Sequence, residues 1–225
     1  MKIKIEVEFD KSLPFKEELY INESPLFFEK KEICSFSPKK AWCNLLYYED
    51  DFAISISTKN DEDEIVLIKG NFENNFNLQN EIISVLSKKK DNDVRINRED
   101  TIIVPIIEVD NSSDFSDLLP VQLYTEKYPF IIEELKQKIN FTLNNNGAEI
   151  KSRLFMRGAV QCILNEPKIL EFNKPFIVTL KKVDNNEPYF AMYISNADYL
   201  KKYSKKYIEK INKEISDNRP IIRMF

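Results

Sequence analysis

Residues 172–196 read Phe172-Asn173-Lys174-Pro175-Phe176-Ile177-Val178-Thr179-Leu180-Lys181-Lys182-Val183-Asp184-Asn185-Asn186-Glu187-Pro188-Tyr189-Phe190-Ala191-Met192-Tyr193-Ile194-Ser195-Asn196. Two runs rich in β-branched and aromatic residues, 175–182 and 188–195, flank Asp184-Asn185-Asn186, a turn composition. The pattern predicts a hairpin. From Asn196 the period becomes helical: Leu200, Tyr203, Tyr207, Ile211 and Ile215 fall on one face. Asn196 is placed to cap this helix, and Pro220 ends it.

Upstream, strand signals dominate. Residues 137–143 alternate through Ile139, Phe141 and Leu143 and lead into Asn144-Asn145-Asn146-Gly147. Asn-Gly accepts the positive φ of a type I′ hairpin turn. The alternation resumes beyond it with Ala148, Ile150, Ser152, Leu154 and Met156 on one face and Glu149, Lys151, Arg153 and Arg157 on the other. Residues 101–109 form another strand, in which Pro105 marks an edge or a bulge. Asp114 to Leu119 fit one or two helical turns. Residues 77–90 place Leu78, Ile82, Val85 and Leu86 on one helical face, with Asn77 as cap. Strands at 53–58 and 65–69 enclose the acidic turn Asn60–Glu64, whose Asp61, Glu62 and Asp63 are expected to form a solvated loop tip. Residues 2–9 alternate as a half-buried strand. The sum is an α+β fold, rich in mixed and antiparallel sheets, with few helices and a C-terminal amphipathic helix. No Gly/Ser/Pro-rich linker divides the chain. Residues 1–196 are expected to form one β-rich domain, with 197–225 a helix and tail packed on it.

The composition excludes much chemistry. The 225 residues include no histidine, so Ser-His and Cys-His machinery, His metal sites and His pH switches are ruled out. Gly70, Gly147 and Gly158 are the only glycines, too few and too dispersed for a phosphate-binding Gly-rich loop. The net charge of −4 disfavours a wholly basic nucleic-acid binder. Cys34, Cys43 and Cys162 include no C-x-x-C pair; reduced, buried thiols are expected, with a Cys34–Cys43 pairing the alternative. No cofactor or metal site is expected. The charged, alternating N-terminus is not a signal peptide and no apolar run is long enough to span a membrane, so a cytoplasmic or otherwise intracellular protein is expected.

Phe172-Asn173-Lys174-Pro175-Phe176, followed by Leu180, Pro188, Phe190, Met192 and Asn196, resembles the C-terminal strand pair of the serpin family. There an F-x-x-P-F entry precedes a hairpin ending near L-F-M-G. Asn145-Asn146-Gly147-Ala148-Glu149 is similar to the serpin hinge, E-E-G-T-E, and Pro105 with Asp114-Phe115 and Leu118-Leu119 to the family's L-P-x-F strand and short helix. The resemblance covers residues 1–196 in order and corresponds to the C-terminal half to two-thirds of a serpin, without the N-terminal helices. Asn145 replaces the glutamate before the hinge glycine, Tyr193 replaces the glycine after L-F-M, and residues 197–225 have no counterpart.

The resemblance implies a mechanism and a departure from it. In an inhibitory serpin a protease cuts an exposed loop, the hinge inserts as a new strand, and the trapped protease is distorted. Rapid insertion needs a run of small residues after the hinge glycine. Gly147, Ala148 and Glu149 are the hinge-like residues here, and Ala148-Glu149-Ile150-Lys151-Ser152-Arg153 lacks that run. The alternation instead fits a strand already paired. The expectation is a non-catalytic protein-interaction module without trapping activity. A protease inhibitor using residues 148–171 as reactive loop is the alternative; its bait would lie in Gln161-Cys162-Ile163-Leu164, since counting forward from Gly147 gives Gln161 and counting back from Phe172 gives Leu164. A self-assembling structural protein is the third reading. The implied partner is a protein, a protease or otherwise, or a second copy of the chain.

Rival chemistry is weaker. Asp50, Asp51, Glu108 and Asp110 are the candidate carboxylates for a hydrolase, but read better as solvated charges. Residues 197–215 carry six lysines against three acids. They alternate with apolar positions and read as the outer face of a packed helix.

Overall fold

The computed structural model describes residues 11–70, 72, 77–87, 95–114, 121–124, 129–132, 136–148 and 167–218. The chain first forms β1 (Leu13–Pro14), β2 (Leu26–Phe28), β3 (Lys31–Ile33), β4 (Ser35–Phe36), β5 (Cys43–Tyr48), β6 (Phe52–Ser57) and β7 (Asp63–Lys69). Helix α1 (Leu78–Ser87) follows, then β8 (Thr101–Pro105), β9 (Ile107–Asp114), β10 (Val121–Tyr124), β11 (Pro129–Ile132), β12 (Lys136–Asn144) and β13 (Gly147–Ala148). The last elements are β14 (Ile169–Glu171), β15 (Phe176–Lys182), β16 (Pro188–Ile194) and helix α2 (Lys205–Asn218). The expected strand 2–9 lies outside the described residues, as do 115–119 of the helical turns expected over 114–119; Asp114 itself ends β9.

A five-stranded antiparallel sheet runs β16-β15-β7-β6-β5. Both expected hairpins are in it: β6 with β7, and β15 with β16. Its central strands are apolar on both faces because both faces are covered. One face gives Ile54, Ile56, Ile65, Leu67, Phe176, Val178 and Leu180 to the main core. The other gives Ala53, Val66, Ile68 and Ile177 to a smaller cluster closed by Ile82 and Val85 of α1. Helix α1 starts where its sequence places it: the Asn77 side chain accepts the Asn80 N–H at 3.0 Å.

The F-x-x-P-F segment earns its aromatics from this packing. Phe172 and Phe176 are fully buried. Phe172 meets Phe52 edge-on at 4.9 Å and Phe176 at 5.5 Å, and Phe176 reaches Phe28 of β2 at 6.3 Å. The Lys69 ammonium bridges to the same segment, donating to the Glu171 carbonyl and the Asn173 side chain at 2.7 Å each.

Two expectations are corrected. Residues 101–109 are not one strand: the run breaks at Ile106. β8 enters a three-stranded sheet, β14-β8-β4, with β14 parallel to β8, while β9 enters a four-stranded sheet, β1-β13-β12-β9. Ile106 spans the switch by donating to the Cys34 carbonyl and accepting from the Lys201 amide, at 2.9 Å each. The C-terminal helix starts at Lys205, not after Asn196. Asn196 caps only a short 3-10 turn, Ala197–Tyr199. Residues 200–203 then stay extended because their backbone is claimed by strands: Cys34 N–H donates to Lys201 O and Tyr203 N–H to Glu32 O. Helix α2 begins once Ser204 caps it, accepting the Tyr207 N–H at 3.3 Å. Its Ile208 and Ile215 are buried, with Tyr207 and Ile211 packed on the main core. Among the described residues no helix is long and apolar enough to cross a membrane.

Candidate functional site

Two of the hinge-like residues, Gly147 and Ala148, are buried in a short strand that follows a tight turn. β12 and β13 pair antiparallel, Leu143 with Ala148 and Asn144 with Gly147. The two-residue loop is therefore Asn145-Asn146, one position earlier than the expected Asn146-Gly147. Neither asparagine takes positive φ, so the turn is not type I′; Gly147 alone does, at +127°. The reason lies outside the hairpin. β1 crosses against Gly147, and a Cβ there would sit 2.3 Å from the Leu13 carbonyl oxygen and 2.7 Å from Pro14 Cα. Only glycine permits that approach.

The turn is held from the N-terminal side. β13 lies between β12 and β1, with Ala148 opposite both Leu143 and Leu13. Phe15 N–H donates to Asn146 O at 2.7 Å. Asn145, 3% exposed, bonds both backbone groups of Leu19: its carbonyl accepts the Leu19 N–H and its side-chain Nδ2 donates to the Leu19 carbonyl, at 3.0 Å each. An amide can make the second bond where the glutamate of the resembling motif could not, since a carboxylate has no donor for a carbonyl. Glu149 and the bait residues Gln161, Cys162, Ile163 and Leu164 lie outside the described residues. Lys168 N–H donates to the buried Asp100 carboxylate at 2.8 Å.

The segment beside the hinge is anchored on an unforeseen buried charge. Asp63 was expected in a solvated loop tip; it is fully buried, as is Asn60. Its carboxylate accepts from the Lys11 ammonium, from Asn60 Nδ2 at 3.0 Å, from Tyr189 OH at 3.2 Å and from Lys182 Nζ at 3.3 Å. Burial opposes its ionisation, but the bonds and charges of Lys11 and Lys182 hold the carboxyl below its ordinary range. Burial and the Asp63 charge push the Tyr189 phenol up. Lys59 N–H donates to Pro14 O at 2.8 Å and Lys16 pairs with Asp61 at 3.2 Å, so the 58–63 turn braces the strand that braces the hinge.

The other sequence candidates do not converge. Glu108, on β9, pairs with Lys201 at 3.0 Å, whereas Asp50 and Asp51 stand at the β5–β6 turn of a different sheet. Cys34 and Cys43 are free and buried. Sequence reasoning missed Leu13, Leu19 and Asp63 as partners of the hinge region; the one local signal was Asn145, an amide where the resembling motif carries an acid.

No protein-family model matches the chain, and no curated protein sequence matches it significantly. Its fold does match solved structures. A serpin from the trematode Schistosoma haematobium superposes with TM-score 0.55 at 14% identity, over 82% of this chain and 54% of that one. The thermophilic serpin tengpin, in its native state, gives 0.50 at 10% identity over 84% and 52%. Serpin48 of the insect Tenebrio molitor gives 0.47 at 15% over 83% and 53%. The chain thus has a partial serpin-like fold, as its F-x-x-P-F segment suggested, and spans about half the length of the serpins it matches.

Proposed function

We propose that the chain is a serpin-like, non-catalytic protein-interaction module that does not trap proteases. The observation supporting this is the pairing of Gly147-Ala148 between β12 and β1. A trapping hinge must be free to enter the sheet when its loop is cut. Here the first hinge residues already occupy a strand position, and the Asn145 amide fixes the turn that would have to move. Charged and branched residues after Ala148 support the same reading, because the family's small-residue run is absent. The partner is a protein, or a second copy of the chain, bound by a preformed surface.

Titration of active serine and cysteine proteases with the chain tests the proposal. Proteases should be unaffected, or should turn the chain over as a substrate. Loss of protease activity at one molecule of chain per molecule of enzyme would establish the inhibitor reading, with residues 148–171 as the reactive loop.

A further inference from the structure

Two asparagines grip the chain two residues apart. Asn145 bonds both backbone groups of Leu19. Asn212, on α2, bonds both backbone groups of Ile21: its Oδ1 accepts the Ile21 N–H at 2.8 Å and its Nδ2 donates to the Ile21 carbonyl at 2.9 Å. Tyr203 OH adds a bond to the Glu23 carbonyl at 2.8 Å, and Tyr20 OH meets Ser216 Oγ at 3.4 Å. Residues 19–23 are thus strung between the hinge turn and the C-terminal helix. We propose that α2 is a latch on the hinge, keeping Asn145–Ala148 paired by holding residues 19–23, so that undocking α2 releases the turn. This rests on taking residues 145–148 as the hinge, but not on what the hinge does with a protease.

The geometry shows how such a latch works. Opposite the turn itself, α2 leaves a cleft of about 180 Å3, lined by Asn144, Asn145, Tyr207, Ile211 and Glu214 among others. Among the described residues no hydrogen bond joins α2 to Asn144–Ala148, so its polar hold on the turn runs through the shared segment. Ile21 is 1% exposed beneath the Asn212 contact, so removing the Asn212 side chain takes away the protein partner of both Ile21 backbone groups. The segment is also held from the β4 side: Asn22 N–H donates to Ser35 O at 2.8 Å, its Nδ2 donates to Ser35 Oγ at 3.0 Å, its Oδ1 accepts from Ser37 Oγ at 3.2 Å, and Ile21 bridges to Phe36. That competing anchor is what makes the proposal testable: if β4 alone fixes residues 21–22, α2 is dispensable to the hinge.

Amide hydrogen exchange on the full chain reads the coupling. Phe15 and Leu19 N–H report the hinge bonds, Ile211 and Ile215 report α2, and Ile54 and Val66 report the five-stranded sheet. With denaturant added below the unfolding transition, the latch requires Phe15, Leu19 and α2 to open as one unit, ahead of the sheet. Asn212→Ala should then speed exchange at Phe15 and Leu19 by roughly tenfold, with Ile54 and Val66 unchanged. Lys213→Ala, on the exposed face of α2, should change nothing. The proposal is overturned if α2 and the Phe15–Leu19 pair open in separate steps in the unmodified chain, or if Asn212→Ala frees Ile21 while Phe15 and Leu19 keep their protection. If Asn212→Ala does not fold, the unmodified chain still decides, since its opening steps are either shared or separate.

Discussion

Gly147 lies against the backbone of Leu13 so closely that a single added carbon would stand 2.3 Å from the Leu13 carbonyl oxygen. The two residues belong to strands more than 130 positions apart, and their contact turns an ordinary hairpin into a three-strand junction. Gly147→Ala adds that carbon at a backbone conformation alanine resists. The variant should lose more than about 2 kcal/mol in urea unfolding, well above an ordinary surface substitution. A loss below about 0.5 kcal/mol would mean that β1 does not press on the hinge.

Asn145, 3% exposed, supplies a donor to the carbonyl of the buried Leu19. Asn145→Ala leaves that carbonyl unpaired, at a cost of about 1–3 kcal/mol. Asn145→Asp keeps the shape but sets a carboxylate oxygen against the carbonyl oxygen. It should therefore be the more destabilising of the two at pH 7, and the difference should shrink as the pH falls and the carboxyl gains a proton. Chemical unfolding of both variants at pH 7 and pH 4 checks the order; equal stability at pH 7 would remove the bond from the account.

Asp63 carries a pH signature. Its carboxyl is held below the ordinary 3.8 in the folded chain, so it contributes stability that is fully present above that value and is lost as the pH falls through the lowered one. Asp63→Asn should abolish this part of the acid profile and cost roughly 3 kcal/mol at pH 7, because Lys11 loses its buried counter-charge. Thermal melts from pH 7 down to pH 2 measure both. An acid profile identical in the variant would show that Asp63 is not held ionised.

Cys43 and Cys34 should be inert in the native chain. Burial pushes the Cys43 thiol up to about 12 and raises Cys34 as well, so little thiolate exists at either at pH 8. Labelling with a thiol reagent, located by peptide mass spectrometry, should reach these two positions only at the rate of unfolding.

Much of the framework was legible in the sequence because it depends on local chemistry. Short runs of β-branched, apolar and aromatic residues bounded by turn residues located β6, β7, β15 and β16, and Asn77 marked the start of α1. What was not legible depends on distant partners. The Asn-Gly rule places a type I′ turn on Asn146-Gly147, but Leu13 makes positive φ necessary at Gly147 as a strand residue, and the turn moves back by one. Asp63 has the look of a loop acid until Lys11 and Tyr189 arrive from 52 and 126 residues away. The face shared by Leu200, Tyr203 and Tyr207 suggested an early helix, but residues 200–203 exchange their helical bonds for bonds to Glu32, Cys34 and Ile106. Residues 145–149 carry a hinge-like motif in the sequence, whereas the segment clamped on 145–148, Leu13 to Leu19, carries no signal of its own.

The central claim is that the hinge strand is already paired and holds no stored energy of insertion. The direct measurement is the melting temperature of the full chain before and after a single proteolytic cut within residues 148–170. The account requires the cut chain to melt at the same temperature as the intact one, or below it. A clear rise on cleavage, the mark of a freed loop entering the sheet, would contradict it.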